Sequence, residues 1–181
     1  MFVHACRINH ACAPNAHVSW SKALTKQTVH AVQEIAAGDE ITVSYAQPGN
    51  VCAARRTHLR NTFGFDCTCV LCALTGEALQ ASDVRQSRLD ALAVLLAAPH
   101  ASRASKTQTV DLVAEKLRLL KAEGLPIEWA HMDMVEAFTV CCVAGDFAAA
   151  RPWMNNAIQA AQTMLGKDSK VVHDLEGVLS Q

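Results

Sequence analysis

Cys67, Cys69 and Cys72 form a C-x-C-x-x-C run. Thiols this close cannot all pair with one another as disulfides, but together they can face one cation. Zinc takes four tetrahedral ligands, commonly sulfur, so a fourth must come from elsewhere in the chain. Cys6, Cys12, Cys52 and His58 are the candidates, and spacing alone does not choose among them. The competing reading is three inert reduced thiols in a crowded polar loop, which nothing would then hold in shape. The N-terminal residues, Met1-Phe2-Val3-His4-Ala5-Cys6-Arg7, lack the basic start and long apolar stretch of a secretory signal. An intracellular setting is therefore expected, nucleus or cytoplasm, where thiols stay reduced and metal binding is favoured over a disulfide framework. Cys141 and Cys142 lie in an apolar helical stripe and read as core packing, as do Cys6 and Cys52.

Two further residues could do chemistry. Tyr45 is the only tyrosine in the chain and ends an alternating run in which Ile41, Val43 and Tyr45 flank Thr42 and Ser44. By itself it reads as an ordinary strand aromatic. Asn9, with Pro14 and Asn15 behind it, reads by itself as turn chemistry.

The elements that must position these groups divide the chain by pattern. Val18–Trp20, Thr28–Glu34 and Glu40–Tyr45 are short runs of β-formers, the last a half-buried strand behind the turn Ala37-Gly38-Asp39. Gly49 breaks the chain, and Val51–Phe63 can form a short helix whose Arg55, Arg56 and Arg60 are expected on a solvated face. Gly64–Cys72 is a compact loop. After Gly76 the pattern turns helical. Arg85, Leu89, Leu92 and Leu96 share one stripe, ended by Pro99; Val110, Val113, Leu117 and Leu120 share a second, closed by Gly124 and Pro126. A third carries Trp129, Met132, Phe138 and Cys141. Asp146 can cap a fourth helix with Phe147, Ala150, Trp153, Ala157, Ile158 and Ala161 on its buried side and Pro152 as a kink or delayed start. Asp168 or Ser169 caps a last helix with Val172, Leu175 and Leu179. Short links between successive helices predict antiparallel hairpins.

Composition bounds the function. The 181 residues include 16 basic and 17 acidic ones, a balance that disfavours a strongly basic nucleic-acid binder. At 51% hydrophobic residues the chain can bury a core. The longest apolar segment, Leu89 to Ala98, carries Asp90 and falls short of the roughly 20 residues of a membrane helix, so no membrane partner is expected.

Three segments now resemble a known family. Arg7-Ile8-Asn9-His10-Ala11-Cys12-Ala13-Pro14-Asn15 resembles the R-x-N-H-S-C-x-P-N signature of SET-domain protein-lysine methyltransferases. Gly38-Asp39-Glu40-Ile41-Thr42-Val43-Ser44-Tyr45 is similar to the G-E-E-(I/L)-T-x-(S/D)-Y strand that follows it in that family. The stretch from Phe63 to Cys72 is similar to the Y-G-F-x-C-x-C-x-x-C post-SET segment. They occur in family order over about residues 5 to 74, and the helical tail makes the SET–MYND branch and its fungal relatives the nearest in kind.

The resemblance implies an α+β chain: a partial SET β-fold with its pseudoknot in residues 1–48, a post-SET helix and zinc loop in 49–75, and an antiparallel, tetratricopeptide-like α-helical region in 76–181. It implies S-adenosylmethionine and Zn2+ as cofactors. Asn9 and His10 would hold S-adenosylmethionine, Phe65 would pack on its adenine, and Tyr45 would be catalytic, its hydroxyl in the methyl-transfer channel. The metal site would be Cys12, Cys67, Cys69 and Cys72. The partner would be a protein lysine, on a histone tail or another protein, with a protein partner at the helical tail and no direct nucleic-acid contact.

The sequence also departs from the family. Ala11 stands where serine is usual, and the eight glycines include no G-x-G. The expectation is therefore a chain resembling the C-terminal part of such an enzyme, weak or inactive alone, with sheet edges left uncovered and a loose β half. The alternative readings are a non-catalytic zinc-binding protein-interaction module, and a zinc-ribbon nucleic-acid binder that would need a basic face.

Overall fold

The computed structural model describes residues 5–46, 49–97 and 105–180. Pro48 and Pro99, expected as a boundary and a helix stop, lie outside the described residues. The fold mixes α and β and is mostly helical. A 3-10 turn at Ala5–Arg7 leads into β1 (Asn9–His10), followed by β2 (Ala16–Ser21), β3 (Lys26–Ala31) and β4 (Thr42–Val43). β2 and β3 form an antiparallel hairpin in which His17 faces His30 and Val18 faces Val29. β1 and β4 pair in parallel, Asn9 with Thr42 and His10 with Val43. The strand expected over Glu40–Tyr45 is therefore only two residues long. Val43 is buried but Ile41 is exposed, since among the described residues β4 pairs only with β1.

The first helix, α1 (Cys52–Phe63), spans almost the predicted segment. It stops at Gly64, whose φ of 76° is the left-handed cap conformation that glycine adopts without steric cost. Arg55 departs from expectation: it is 3% exposed, whereas Arg56 and Arg60 do face solvent. Cys52, Arg55 and Leu59 recur at helical spacing and form the buried side of α1.

Five helices follow: α2 (Gly76–Ala97), α3 (Lys106–Ala122), α4 (His131–Val143) behind a 3-10 turn, α5 (Phe147–Leu165) and α6 (Lys170–Leu179). Each packs on its successor. Asp146 and Ser169 cap α5 and α6 by accepting the Ala149 and Val171 amides. Leu92, Val113, Ala157 and Val172 are fully buried, as the stripes require. Phe147 and Met132 differ, at 68% and 57% exposed: both lie in the first turns of their helices, beyond the neighbour's reach. Pro152 does not delay α5, which begins five residues before it. The carbonyl it leaves unbonded belongs to exposed Ala148, where water can satisfy it. Cys6 is exposed rather than packed in the core, while Cys52 and Cys141 are buried.

One core runs between the cysteine loop and the helices, including Cys12, Leu59, Cys67, Leu71, Leu89, Leu120 and Met134. Polar clamps cross the same junction. The Gly49 amide donates to Gln86 Oε1 at 3.0 Å, and the Cys52 amide donates to Asp83 Oδ1 at 2.7 Å. Gly49 has φ 97°, and a Cβ there would sit 3.1 Å from Asp90 Cα, so both backbone conformation and space require glycine.

Candidate functional site

Asn15 assembles the strand layer. Its side chain donates to the Glu40 carbonyl at 2.9 Å and accepts the Thr42 amide at 2.8 Å. Its own carbonyl accepts the Val32 amide at 2.9 Å. One residue, through its side chain and its own carbonyl, thus ties the segments before β2, after β3 and at β4. The ladder extends one step further through the Ala11 amide, which donates to the Val43 carbonyl at 3.1 Å. Residues 8–12 and 42–45 consequently lie side by side, although some 33 residues separate them in sequence.

Tyr45 lies two residues beyond the end of β4. Its hydroxyl donates to the Ile8 carbonyl at 2.5 Å, and its amide donates to His10 Nδ1 at 3.0 Å. The second bond fixes the imidazole tautomer: with Nδ1 accepting, neutral His10 carries its proton on Nε2 and donates it to Cys12 Sγ, 3.3 Å away. Burial lowers the His10 pKa, which favours this neutral form.

An open cleft of roughly 640 Å3 lies over these groups, lined by Asn9, His10, Glu40, Tyr45, Phe63 and Phe65 among others. That volume lies within the range of small-molecule sites. Phe63 packs on Tyr45 with ring centroids 4.9 Å apart, and Phe65 stands edge-on to Tyr45 at 6.4 Å. Asn9 donates to Glu40 Oε1 at 2.6 Å at the exposed rim. The cleft therefore offers aromatic faces for a flat ring and a polar rim with a carboxylate, a combination that fits a nucleoside carrying a cationic group.

The floor beside His10 is the cysteine cluster. The sulfurs of Cys12, Cys67, Cys69 and Cys72 all lie within 4.8 Å of one another, three of the four residues being buried. Four Zn–S bonds of about 2.3 Å require sulfurs about 3.8 Å apart, so small shifts suffice for a tetrahedron. The loop is wound for this: the Cys72 and Ala73 amides both donate to the Cys69 carbonyl at 2.9 Å. Hydrogen bonds from Cys12 and Cys72 hold the Cys69 thiol far below its usual range, while Cys12, bonded to the Cys69 sulfur, is pushed up to about 12. Cys72 is pushed up by the same contacts. The donor set fits a thiophilic divalent cation. The other residues considered as fourth ligand stand apart: Cys6 and His58 are exposed, and Cys52 lies outside the cluster.

All the sequence-derived candidates, Asn9, His10, Cys12, Tyr45, Phe65, Cys67, Cys69 and Cys72, border this one cleft or its floor. Four neighbours were not among them. Asn15 sits inside the quoted motif but looks like a turn residue until its three-way bonding is seen. Phe63 and Glu40 carry no signal beyond their places in the motifs. Arg55 did carry one, since its spacing from Cys52 and Leu59 puts it on the apolar face of α1.

Residues 2–46 match the family model described as the SET domain. The chain is 28% identical to the histone-lysine N-methyltransferase set5 of Schizosaccharomyces pombe, over 94% of this chain and 53% of that protein. It is 36% identical to the histone-lysine N-methyltransferase SET5 of Scheffersomyces stipitis, over 40% of this chain and 15% of that protein. It is 33% identical to the N-lysine methyltransferase SMYD2 of Mus musculus, over 48% of this chain and 19% of that protein. The chain is thus homologous to SET-domain lysine methyltransferases and spans about half the length of the first of these and less of the others. No helix among the described residues is long and apolar enough to cross a membrane.

Proposed function

We propose that this SET-domain chain takes part in transfer of a methyl group from S-adenosylmethionine to a lysine of a nuclear or cytoplasmic protein, a histone tail or another substrate. The observation that carries the reading is that Tyr45, His10 and Phe65 share one cleft above the four-cysteine cluster. In this reading residues 1–48 are part of a SET fold, with residues 8–12 and 42–45 forming its pseudoknot. Residues 49–75 are the post-SET helix and zinc loop, and 76–181 are a tetratricopeptide-like tail open to a protein partner.

S-adenosylmethionine, when bound, supplies a methyl carbon made electrophilic by its sulfonium. The protein supplies alignment and dehydration. Phe65 offers a face to the adenine, and Asn9 and His10 lie along the same wall. The Tyr45 proton is committed to the Ile8 carbonyl, so the phenolic lone pairs are left to accept an N–H of the incoming lysine. That acceptor orients the neutral amine toward the cofactor side of the cleft. Zinc at Cys12, Cys67, Cys69 and Cys72 would pin the loop bearing Phe65 to β1.

A non-catalytic zinc-bound interaction module is the second reading. One observation favours it: Asn9 and Tyr45 already spend a side-chain donor within the chain, on Glu40 and Ile8. Calorimetry of the zinc-loaded chain with S-adenosylmethionine separates the two, followed by transfer of labelled methyl to histone and non-histone proteins. Saturable binding supports the first reading; a folded, metal-loaded sample that binds no S-adenosylmethionine leaves the second.

A further inference from the structure

Arg55 is an unusual residue to find inside a protein. It is 3% exposed, no carboxylate among the described residues pairs with it, and its Nη1 donates to the Asn50 carbonyl at 2.6 Å. Its Nε and Nη2 are buried and make no well-formed hydrogen bond. A guanidinium cannot shed its charge, so burial on these terms is costly unless a negative group compensates it. Burial alone would lower its pKa, yet the charges and acceptor sulfurs of Cys12 and Cys72 more than reverse this and raise it. The placement agrees: Cys52 and Leu59, which flank Arg55 on the buried side of α1, pack in the same core as Cys12 and Cys72.

The metal reading explains the pairing. Four thiolates around one divalent cation carry a net charge of about −2, and such a cluster buried in a core needs a counter-charge as much as Arg55 does. We infer that Arg55 is the charge-balancing partner of the four-cysteine centre, its buried Nε and Nη2 donating to the Cys12 and Cys72 sulfurs once these draw together around the metal. The inference rests on the zinc reading of the cluster. It makes Arg55 a positioning residue. Its Nη1 bond to Asn50 links the metal centre to the Gly49–Cys52 turn, which is clamped in turn to Gln86 and Asp83 of α2. His10 approaches Cys12 with its Nε2 proton at 3.3 Å. Cys12 would thus receive donors from both strand and helix, an arrangement that fixes a ligand's orientation and tempers its basicity.

The full chain, loaded with Zn2+, tests this with Arg55→Met and Arg55→Lys. Transfer of Zn2+ to a colorimetric chelator at fixed pH should be about 10- to 100-fold faster in Arg55→Met, with Arg55→Lys between it and the wild type because the charge is kept. With Co2+ in place of Zn2+, the sulfur-to-metal charge-transfer band should move in Arg55→Met, which loosened packing alone would not cause. Wild-type rate and spectrum in a folded Arg55→Met chain, or Arg55→Lys as fast as Arg55→Met, overturns the inference. If Arg55→Met does not fold, the wild type decides by itself: the Arg55 Nε–H resonance should shift when Cd2+ replaces Zn2+, and an unmoved resonance overturns it. A wild-type chain that takes up no metal overturns the zinc reading and this inference together. Metal-loaded wild type with indifferent Arg55 variants removes the inference alone.

Discussion

Asn15 accepts the backbone N–H of Thr42 on its side-chain oxygen at 2.8 Å, and through this bond the chain segment ahead of β2 holds β4 in register beside β1. The Nδ2 of the same Asn15 side chain donates to the Glu40 carbonyl, so both its donor and its acceptor are in use. Asn15→Ala removes both bonds at a partly buried position and should destabilise the β layer by about 1–3 kcal/mol. Asn15→Asp keeps the acceptor, loses the donor and should cost less. Urea unfolding followed by Trp20 fluorescence reads the order, and equal costs for the two variants would contradict the assigned roles.

Tyr45→Phe deletes one hydroxyl and leaves the ring packed on Phe63. The lost bond to Ile8 should cost about 1 kcal/mol of stability. If the hydroxyl orients the lysine amine, methyl transfer by the zinc-loaded chain should fall about 100-fold or more, with S-adenosylmethionine affinity nearly unchanged. A fall in cofactor affinity with turnover retained would assign Tyr45 to the binding wall instead.

How much of this was legible beforehand follows from range. The helical stripes and the caps at Asp146 and Ser169 are local patterns, and the structure bears them out except at Met132 and Phe147, which are exposed. The motif resemblance brought Cys12 alongside Cys67, Cys69 and Cys72, which no spacing rule could do across some 55 residues. Tertiary pairing was not legible. Glu40–Tyr45 reads as a strand by alternation but pairs over two residues only, with no second strand paired to it among the described residues. Arg55 was misread because charge outweighed position: its helical spacing to Cys52 and Leu59 points inward, yet an arginine is expected outside unless a buried anion can be foreseen.

Cys69→Ala removes the sulfur that receives hydrogen bonds from both Cys12 and Cys72. The wild-type chain should carry one zinc per chain after gel filtration, and the variant little or none. Chelation of the wild type should mimic the variant. Because Cys12, Cys67 and Cys72 belong to the shared core, loss of metal should lower stability by more than about 3 kcal/mol and expose the loop to protease. Full metal content in the variant would sink the assignment.

His17 should make the molecule acid-sensitive. It pairs across the hairpin with His30 and lies near His131 at the start of α4. Burial lowers its pKa below the ordinary 6.5, and the two neighbouring imidazoles add to the effect. The folded state therefore binds a proton at His17 less readily than the unfolded chain. Its contribution is fully present above pH 6.5 and is lost as pH falls from there through the folded pKa. Urea midpoints should decline from about pH 7 to pH 5, and His17→Gln should flatten that slope without lowering the plateau much. An identical slope in the variant would place the acid sensitivity elsewhere.

Glu123 closes α3 with its side chain buried, and three donors reach its carboxylate. Ser82 Oγ donates at 2.9 Å, Arg85 Nε at 2.6 Å and Gln86 Nε2 at 3.4 Å, while Gln86 Oε1 accepts the Gly49 amide. The carboxylate is thus the hub through which α2, the end of α3 and the turn before α1 are fixed together. Glu123→Ala leaves Arg85 without its anion and two buried polar groups without an acceptor, and should cost about 3–5 kcal/mol. Glu123→Gln keeps the shape and one acceptor and should cost roughly half as much. Because the network reaches Gly49, three residues before α1, amide exchange should quicken in residues 49–59 as well as in α2. Protection lost in α2 alone would mean that the hub ends at Gln86.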